Sequence, residues 1–228
     1  MSNTGTAKQG NDEPRILAIG DIHGCLKALD ALLESLNPQP HDFVITLGDY
    51  IDRGADSPGV IERLLDLESK CHLEPLLGNH ELMLLTALEE PSQIDAWLRC
   101  GGHETLMKYG GSFQKIPERH IDFLKRCRHY VETPKHLFFH ANYVADAPLE
   151  QQPAYSLYWE DLHIHLPRRH VSGKTAIVGH TPQQEGNVLD LGHIICIDTN
   201  CYGGGYLTGM DVLAGKYWQA DPEGRLRK

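Results

Sequence analysis

Three glycine-bounded strings constrain this chain more than any other feature: Gly20-Asp21-Ile22-His23-Gly24, Gly48-Asp49-Tyr50-Ile51-Asp52-Arg53-Gly54 and Gly78-Asn79-His80-Glu81. They recur at intervals of about thirty residues, each just past a short apolar run, at Ile16 to Ile19, Phe43 to Leu47 and Leu73 to Leu77. Behind each string the periodicity changes. Leu26, Leu29, Leu32, Leu33 and Leu36 recur at helical spacing until Asn37-Pro38 stops them. A second helix is predicted from about Ser57 to Leu67, with Ser57 as cap and Pro58 in the first turn, and a third over the apolar stretch Leu82 to Leu88. The pattern is strand, turn and helix, three times over. Open α/β sheets gather their binding crevices at the carboxyl ends of strands. One crevice therefore collects carboxylate, imidazole and amide groups, the donor set of a metal centre.

The bulk of the sequence agrees with an α/β protein of one domain. At 228 residues the chain can bury one good-sized core. We assign residues 15–220 to that domain, 1–14 to a disordered polar tail without an apolar signal core, and 221–228 to a polar C-terminal tail. No run of eighteen apolar residues exists, so the expectation is a soluble, cytoplasmic protein with no membrane partner. A net charge of -10 argues against a nonspecific nucleic-acid binder. The six cysteines lie far apart without a C-x-x-C, which disfavours a zinc knuckle or a small disulfide scaffold. The middle, Pro91 to Cys127, reads as short helices around Trp97-Leu98-Arg99-Cys100-Gly101-Gly102-His103 and Tyr109-Gly110-Gly111, a cap or wall without chemistry of its own. From Tyr130 onward strand signals dominate, at Leu137 to Phe139, Thr175 to Val178, His193 to Ile197 and Tyr206 to Trp218.

Two later histidines also end apolar strands, in Phe138-Phe139-His140-Ala141-Asn142 and Val178-Gly179-His180-Thr181-Pro182. Singly, each candidate ligand has a plainer explanation. Asp21 could cap a helix, Asn79 could be the N-cap of the next one, His180 could hold a turn and His140 could be a satisfied core residue. Their shared strand-end location favours ligation. The remaining histidines, including the alternating His163-Ile164-His165, read as structural or solvated.

The ordered series of five motifs resembles the calcineurin-like metallophosphoesterases of the phosphoprotein phosphatase (PPP) family, particularly the bacterial and phage serine/threonine phosphatases. It is similar, more distantly, to bacterial diadenosine tetraphosphatase. The resemblance runs from Arg15 to Ala220. It implies two mainly mixed β-sheets packed as a sandwich, with flanking helices and a helical cap. It further implies one divalent metal ion on Asp21, His23 and Asp49 and a second on Asp49, Asn79, His140 and His180, with Asp49 bridging. Ions in such a pair sit about 3.5 to 4 Å apart and activate a water for in-line displacement at phosphorus. A thiolate-free set rich in imidazole suits Mn2+ first, then Fe or Zn, and disfavours Ca2+. The implied general acid is His80, oriented by Asp52, with Arg53 offering two donors to phosphate oxygens. The expected substrates are phosphomonoesters, including phosphorylated protein. Dinucleoside polyphosphates are the alternative, and a metal- or phosphate-binding module without turnover is the reading from another class.

The chain departs from the family in three places. His140-Ala141-Asn142 and Asp198-Thr199-Asn200 carry asparagine where relatives have glycine, and asparagine tolerates the left-handed backbone such turns need. Glu160 and Asp161 follow Trp159 where relatives place a second phosphate-binding arginine. Losing one charge-assisted contact costs about 1.5 to 3 kcal/mol unless another cation substitutes. Arg168 or Arg169 is the candidate substitute, against a solvated surface role.

Overall fold

In the computed structural model, which describes residues 13–228, the apolar runs become strands, buried on both faces along most of the first two and half-buried in the third. Most of the expected 1–14 tail lies outside the described residues. The strands are β1 (Ile16–Ile19), β2 (Phe43–Thr46), β3 (His72–Pro75), β4 (Tyr130–Glu132), β5 (His136–Phe139), β6 (Thr175–Val178), β7 (Leu189–Asp190), β8 (Ile194–Cys196), β9 (Asp198–Thr199), β10 (Tyr206–Asp211) and β11 (Lys216–Ala220). One sheet runs β11-β10-β1-β2-β3, with β9 against β10; the other runs β4-β5-β6-β8-β7. Both are mixed, parallel in β1-β2-β3 and in β5-β6-β8 and antiparallel at their margins.

Alternation along the strands builds two apolar layers. Ala18, Ile45 and Leu47 of the first sheet face Phe138, Ile177 and Ile195 of the second, forming the seam between sheets. Leu17, Ile19 and Val44 point the other way, into a core shared with the helices. Strands covered on both faces read as uninterrupted apolar runs, which is why no period of two marked them in the sequence.

Among the described residues, seven α-helices flank the sheets: α1 (Leu26–Leu36), α2 (Ser57–Glu68), α3 (Asn79–Glu89), α4 (Ile94–Trp97), α5 (His103–Lys108), α6 (Glu118–Lys125) and α7 (Ala154–Tyr158). Helix α1 buries Leu29, Leu32, Leu33 and Leu36 and ends at Asn37, whose left-handed backbone (φ 45°) returns its N–H to the Leu33 carbonyl. Two caps differ from expectation. The α2 N-cap is Asp56, whose carboxylate accepts from the Gly59 amide at 3.0 Å, because the Ser57 hydroxyl is engaged by the Asp52 amide. The α3 N-cap is Gly78, and Asn79 is already helical, which leaves its side chain free for other partners. The expected final strand, Tyr206 to Trp218, divides into the β10–β11 hairpin around a turn at 212–215. Residues 221–228 return along the sheet: Leu226 bridges to Ala220, and Arg227 donates to the Gly186 carbonyl (2.6 Å) and to Gln219 Oε1 (2.9 Å).

Strand register aligns the motifs. Ile19 pairs with Thr46 and Thr46 with Pro75, so β1, β2 and β3 end level and release the three strings in one row. Phe138 pairs with Ile177, which brings the ends of β5 and β6 side by side below His140 and His180. Among the described residues, no helix is long and apolar enough to cross a membrane.

The start of the first sheet hangs on a fully buried carboxylate. Asp42 accepts from the Arg15 amide (2.9 Å), Arg15 Nε (3.1 Å) and the Gln39 amide (2.8 Å). Burial pushes its carboxyl up, but the Arg15 and Gln39 donors outweigh that and hold it below the ordinary carboxylate value. A carboxyl lowered in the folded state stabilises above its unfolded pKa of about 3.9 and loses that contribution as pH falls through the folded value. Asp42→Asn should therefore cost about 1 to 3 kcal/mol at pH 7. In urea unfolding series the gap to the parent protein should narrow below about pH 4.

Candidate metal centre

All the residues singled out in the five motifs meet above the seam. His23 donates from Nδ1 to the Ile51 carbonyl at 2.9 Å, and His140 from Nδ1 to the Leu47 carbonyl at 2.7 Å. These bonds fix the neutral tautomers and leave one lone pair on each ring facing inward. His140 Nε2 then faces Asn79 Oδ1 at 2.9 Å and Asp49 Oδ1 at 3.5 Å, His180 Nδ1 faces the same Asn79 oxygen at 3.1 Å, and His23 Nε2 faces Asp49 Oδ2 at 3.3 Å. Lone pairs pointed at oxygen acceptors repel unless a cation lies between them. The residues therefore fit a metal ion on the chemistry of the donors alone.

The distances yield two tight groups, His23 with Asp49 and His80, and Asp49 with His140 and His180. Asp49 belongs to both. Asp21 stands beside rather than inside them, its two oxygens accepting the His180 amide at 3.1 and 3.0 Å.

Electrostatics separates one imidazole from the rest. Burial lowers His23 to about 3 and His140 to about 4, and lowers His180, keeping all three neutral and able to ligate at pH 7. For His80 burial acts in the same direction, but the Asp49 charge and a 2.8 Å bond from its Nδ1 to Asp52 Oδ2 outweigh it and leave the group raised. Among the described residues its buried Nε2 has no hydrogen-bond partner, and it lies 4.0 Å from Asp49 Oδ2. Asp49 itself is held below the usual carboxylate range: burial opposes its charge, the imidazoles of His140, His80, His23 and His180 favour it when protonated, and with the other three rings neutral His80 is the one left to attract it at pH 7.

Three residues that carry no assigned role in the sequence reading stand out here. Glu81, fully buried, accepts from the amides of Asp49 (2.7 Å), Tyr50 (2.8 Å), Ile51 (3.2 Å) and Gly78 (3.1 Å) and so ties the second string to α3. Burial and the Asp49 charge push its carboxyl up, and the four amide donors oppose them by favouring the carboxylate. Asp198 is buried near Asp21 and is raised to about 7, chiefly by burial, while Asp21 is raised well above its usual value by burial and then by Asp198. Tyr202 packs edge-on against His23 (5.2 Å between centroids) and lies 4.7 Å beneath the Arg53 guanidinium. The Glu81 signal was present in the third string as a carboxylate at the N3 position of a helix. The other two depend on a turn folding over the crevice from β9.

The departures resolve individually. Asn200 takes the left-handed backbone expected of it, with φ 61°. Asn142 does not; instead its Oδ1 accepts from the Tyr143 amide and its Nδ2 donates to the His165 carbonyl. Neither candidate arginine substitutes, since Arg168 pairs with Asp146 at 2.7 Å and Arg169 donates to the Gly173 carbonyl. Arg53 is the cation at the crevice, its Nη1 donating to His23 Nε2 at 3.2 Å. His163 and His165 are exposed and pair with Asp161 and Glu160, away from any ligand group.

A family model described as calcineurin-like phosphoesterase matches residues 14–221. Serine/threonine-protein phosphatase 1 of Salmonella typhimurium is 30% identical over 207 residues, covering 85% of this chain and 89% of that protein. A symmetrical bis(5'-nucleosyl)-tetraphosphatase of Cellvibrio japonicus is 25% identical, covering 87% and 95%. Among solved structures, a provisionally named diadenosine tetraphosphatase superposes with a TM-score of 0.72 at 22% identity over 92% of this chain and 94% of that one.

Glu81→Gln replaces an acceptor of four amides by a group that must present an N–H to some of them. The expected outcome, in a competition titration against a chelating dye, is divalent-ion affinity about 10- to 100-fold weaker with far-ultraviolet circular dichroism preserved.

Proposed function

Because the chain belongs to the calcineurin-like phosphoesterase family and is a phosphatase-type hydrolase, we propose that it cleaves phosphoric monoesters in this crevice, with phosphoserine or phosphothreonine in protein as the preferred substrate. The observation that carries this reading is the partnerless, buried Nε2 of His80, which stands beside a convergent set of ligating atoms while its Nδ1 is held by Asp52. A metal ligand needs a neutral ring, whereas a proton donor needs a charged one; His80 is raised while His23, His140 and His180 are lowered.

In this reading Asp21, His23 and Asp49 hold one divalent ion and Asp49, Asn79, His140 and His180 a second, Mn2+ by preference and Fe or Zn otherwise. When bound, the ions supply Lewis acidity for a water nucleophile and for the phosphoryl oxygens. The chain's own residues do the rest. Arg53, released from His23, presents two parallel N–H donors to the phosphoryl group. His80 delivers its Nε2 proton to the departing oxygen and is left as the neutral ring, and the Asp52 carboxylate orients that ring and favours its charged form until the transfer. Asp21 and Asp49, beside Asp198, bring like charges together in a buried site, and this supports a cationic occupant. A cytoplasmic site of action belongs to the same reading, since six free thiols suit a reducing compartment. The second reading, hydrolysis of dinucleoside polyphosphates, rests on the full-length similarity to the Cellvibrio japonicus protein.

Exhaustive chelation should abolish release of nitrophenol from nitrophenyl phosphate, and Mn2+ should restore it; activity indifferent to both steps refutes the proposal. On a phosphoserine peptide, His80→Asn should lower kcat by about 10²- to 10⁴-fold with metal per chain nearly unchanged by elemental analysis. In a substrate panel, turnover of diadenosine tetraphosphate well above that of phosphopeptides would move the assignment to the second reading.

A further inference from the structure

The helical middle of the chain reaches into the crevice from behind. Asp52 and Arg53 both adopt left-handed backbone, with φ 70° and 67°, a conformation unfavourable for non-glycine residues that persists only where the surroundings enforce it. The enforcing contacts come from α4, α5 and the turn between them. Trp97, last residue of α4 and fully buried, donates from Nε1 to Asp52 Oδ2 at 2.9 Å, the oxygen that also receives His80. Thr105 of α5, also fully buried, donates from Oγ1 to Asp52 Oδ1 and accepts the Asp52 amide, both at 2.8 Å. Its remaining acceptor position meets the Ser57 hydroxyl at 2.8 Å. Between them, the Gly101 carbonyl accepts the Arg53 amide at 3.1 Å.

Both glycines of the turn are required by close approach. A Cβ on Gly101, whose φ is 108°, would lie 2.6 Å from Arg53 Cγ, and one on Gly102 would lie 2.3 Å from Trp97 Cε2. The three donors on Asp52 all require an acceptor and so demand its carboxylate form, opposing the burial that pushes it up.

From this geometry we infer that the segment Trp97–Thr105 is a positioning clamp with two separable outputs: Trp97 and Thr105 set the Asp52–His80 pair for proton delivery, and Gly101 sets Arg53 for phosphate. The inference rests on the proposed roles of His80 and Arg53, and it adds residues that touch neither substrate nor metal. Its signature is a dependence on the leaving group. A nitrophenolate departs as a stable anion near neutral pH, whereas a serine alkoxide needs a proton in the transition state. Loss of the Asp52 contacts should therefore harm alkyl phosphates far more than nitrophenyl phosphate, while a general packing defect harms both alike.

The experiment compares Trp97→Phe, Thr105→Val, Thr105→Ser and Gly101→Ala in the full chain. Trp97→Phe and Thr105→Val should lower kcat on a phosphoserine peptide at least about 30-fold and on nitrophenyl phosphate no more than about threefold, a range within general acid catalysis. Thr105→Ser, which restores the hydroxyl, should recover most of the difference. Gly101→Ala should raise the inhibition constant of inorganic phosphate about tenfold or more with the ratio between substrates unchanged, since a charge-assisted contact is at stake. Equal losses on both substrates, or full activity on both, would overturn the clamp. A separate readout uses the metal-free protein: the His80 Nδ1 proton, observed by NMR, should exchange faster with water in Trp97→Phe and Thr105→Val than in the parent and Thr105→Ser. Unchanged exchange would overturn the inference even if the parent protein turned over neither ester, an outcome that by itself would refute only the proposed function.

Discussion

The site depends first on one carboxylate that takes no part in the chemistry. Glu81 gathers the amides of Gly78, Asp49, Tyr50 and Ile51 onto its two oxygens, where no water competes. Loops are normally exposed because their backbone polar groups need water, and here a side chain replaces it. With the string pinned against α3, Asp49 can hold a left-handed backbone (φ 50°) and place Oδ1 on the His80 amide at 3.1 Å. Five of the positive-φ residues other than glycine are His23, Asp49, Asp52, Arg53 and His180, so backbone strain collects at the crevice rather than across the fold.

Charge is arranged with the same economy. Asp49 is held low against burial with the raised His80 as the ring left to attract it, Asp21 is pushed toward neutrality by burial, Asp198 and Asp49, Asp198 by burial and Asp49, and three of four imidazoles are kept neutral. Such a cluster is costly by itself, because buried acceptors face acceptors. A divalent ion reverses the sign of each of those contacts. His80 escapes this logic because its second nitrogen is held by a carboxylate rather than by a backbone carbonyl, in contrast to His23 and His140.

What the sequence displayed was the chemistry carried by local strings. The strand-to-helix turns at Asp21, Asp49 and Asn79 were legible because apolar runs, glycines and helical leucines are all short-range signals. The gathering of His140 and His180 beside them was legible from their shared place at the ends of apolar strands, and the ordered family pattern gave them their partners, since no local spacing spans that distance. The caps at Asp56 and Gly78 were misplaced by one residue, because Ser57 and Asn79 have the right chemistry but are drawn to other partners. Trp97 and Thr105 stayed invisible for a different reason: a tryptophan and a threonine on short helices look like packing until Asp52 is seen between them. Asn142 shows the converse, a substitution that suits a left-handed turn and is used instead for its amide.

The position of β10 has a consequence for the order in which the molecule assembles. This strand lies between β1 and β11, so the first sheet waits for residues 206–211 before it gains the neighbour that borders its earliest strand. The bond from the His180 amide to Asp21 likewise closes a loop of 159 residues. Loop-closure entropy grows slowly with length, but non-local pairings of this kind slow the search for the native topology. The crevice is thus a late product of folding. A ribosome-bound chain lacking its last quarter holds the three opening strings and His140 without β6, β7, β8 and the His180 that completes their donor set.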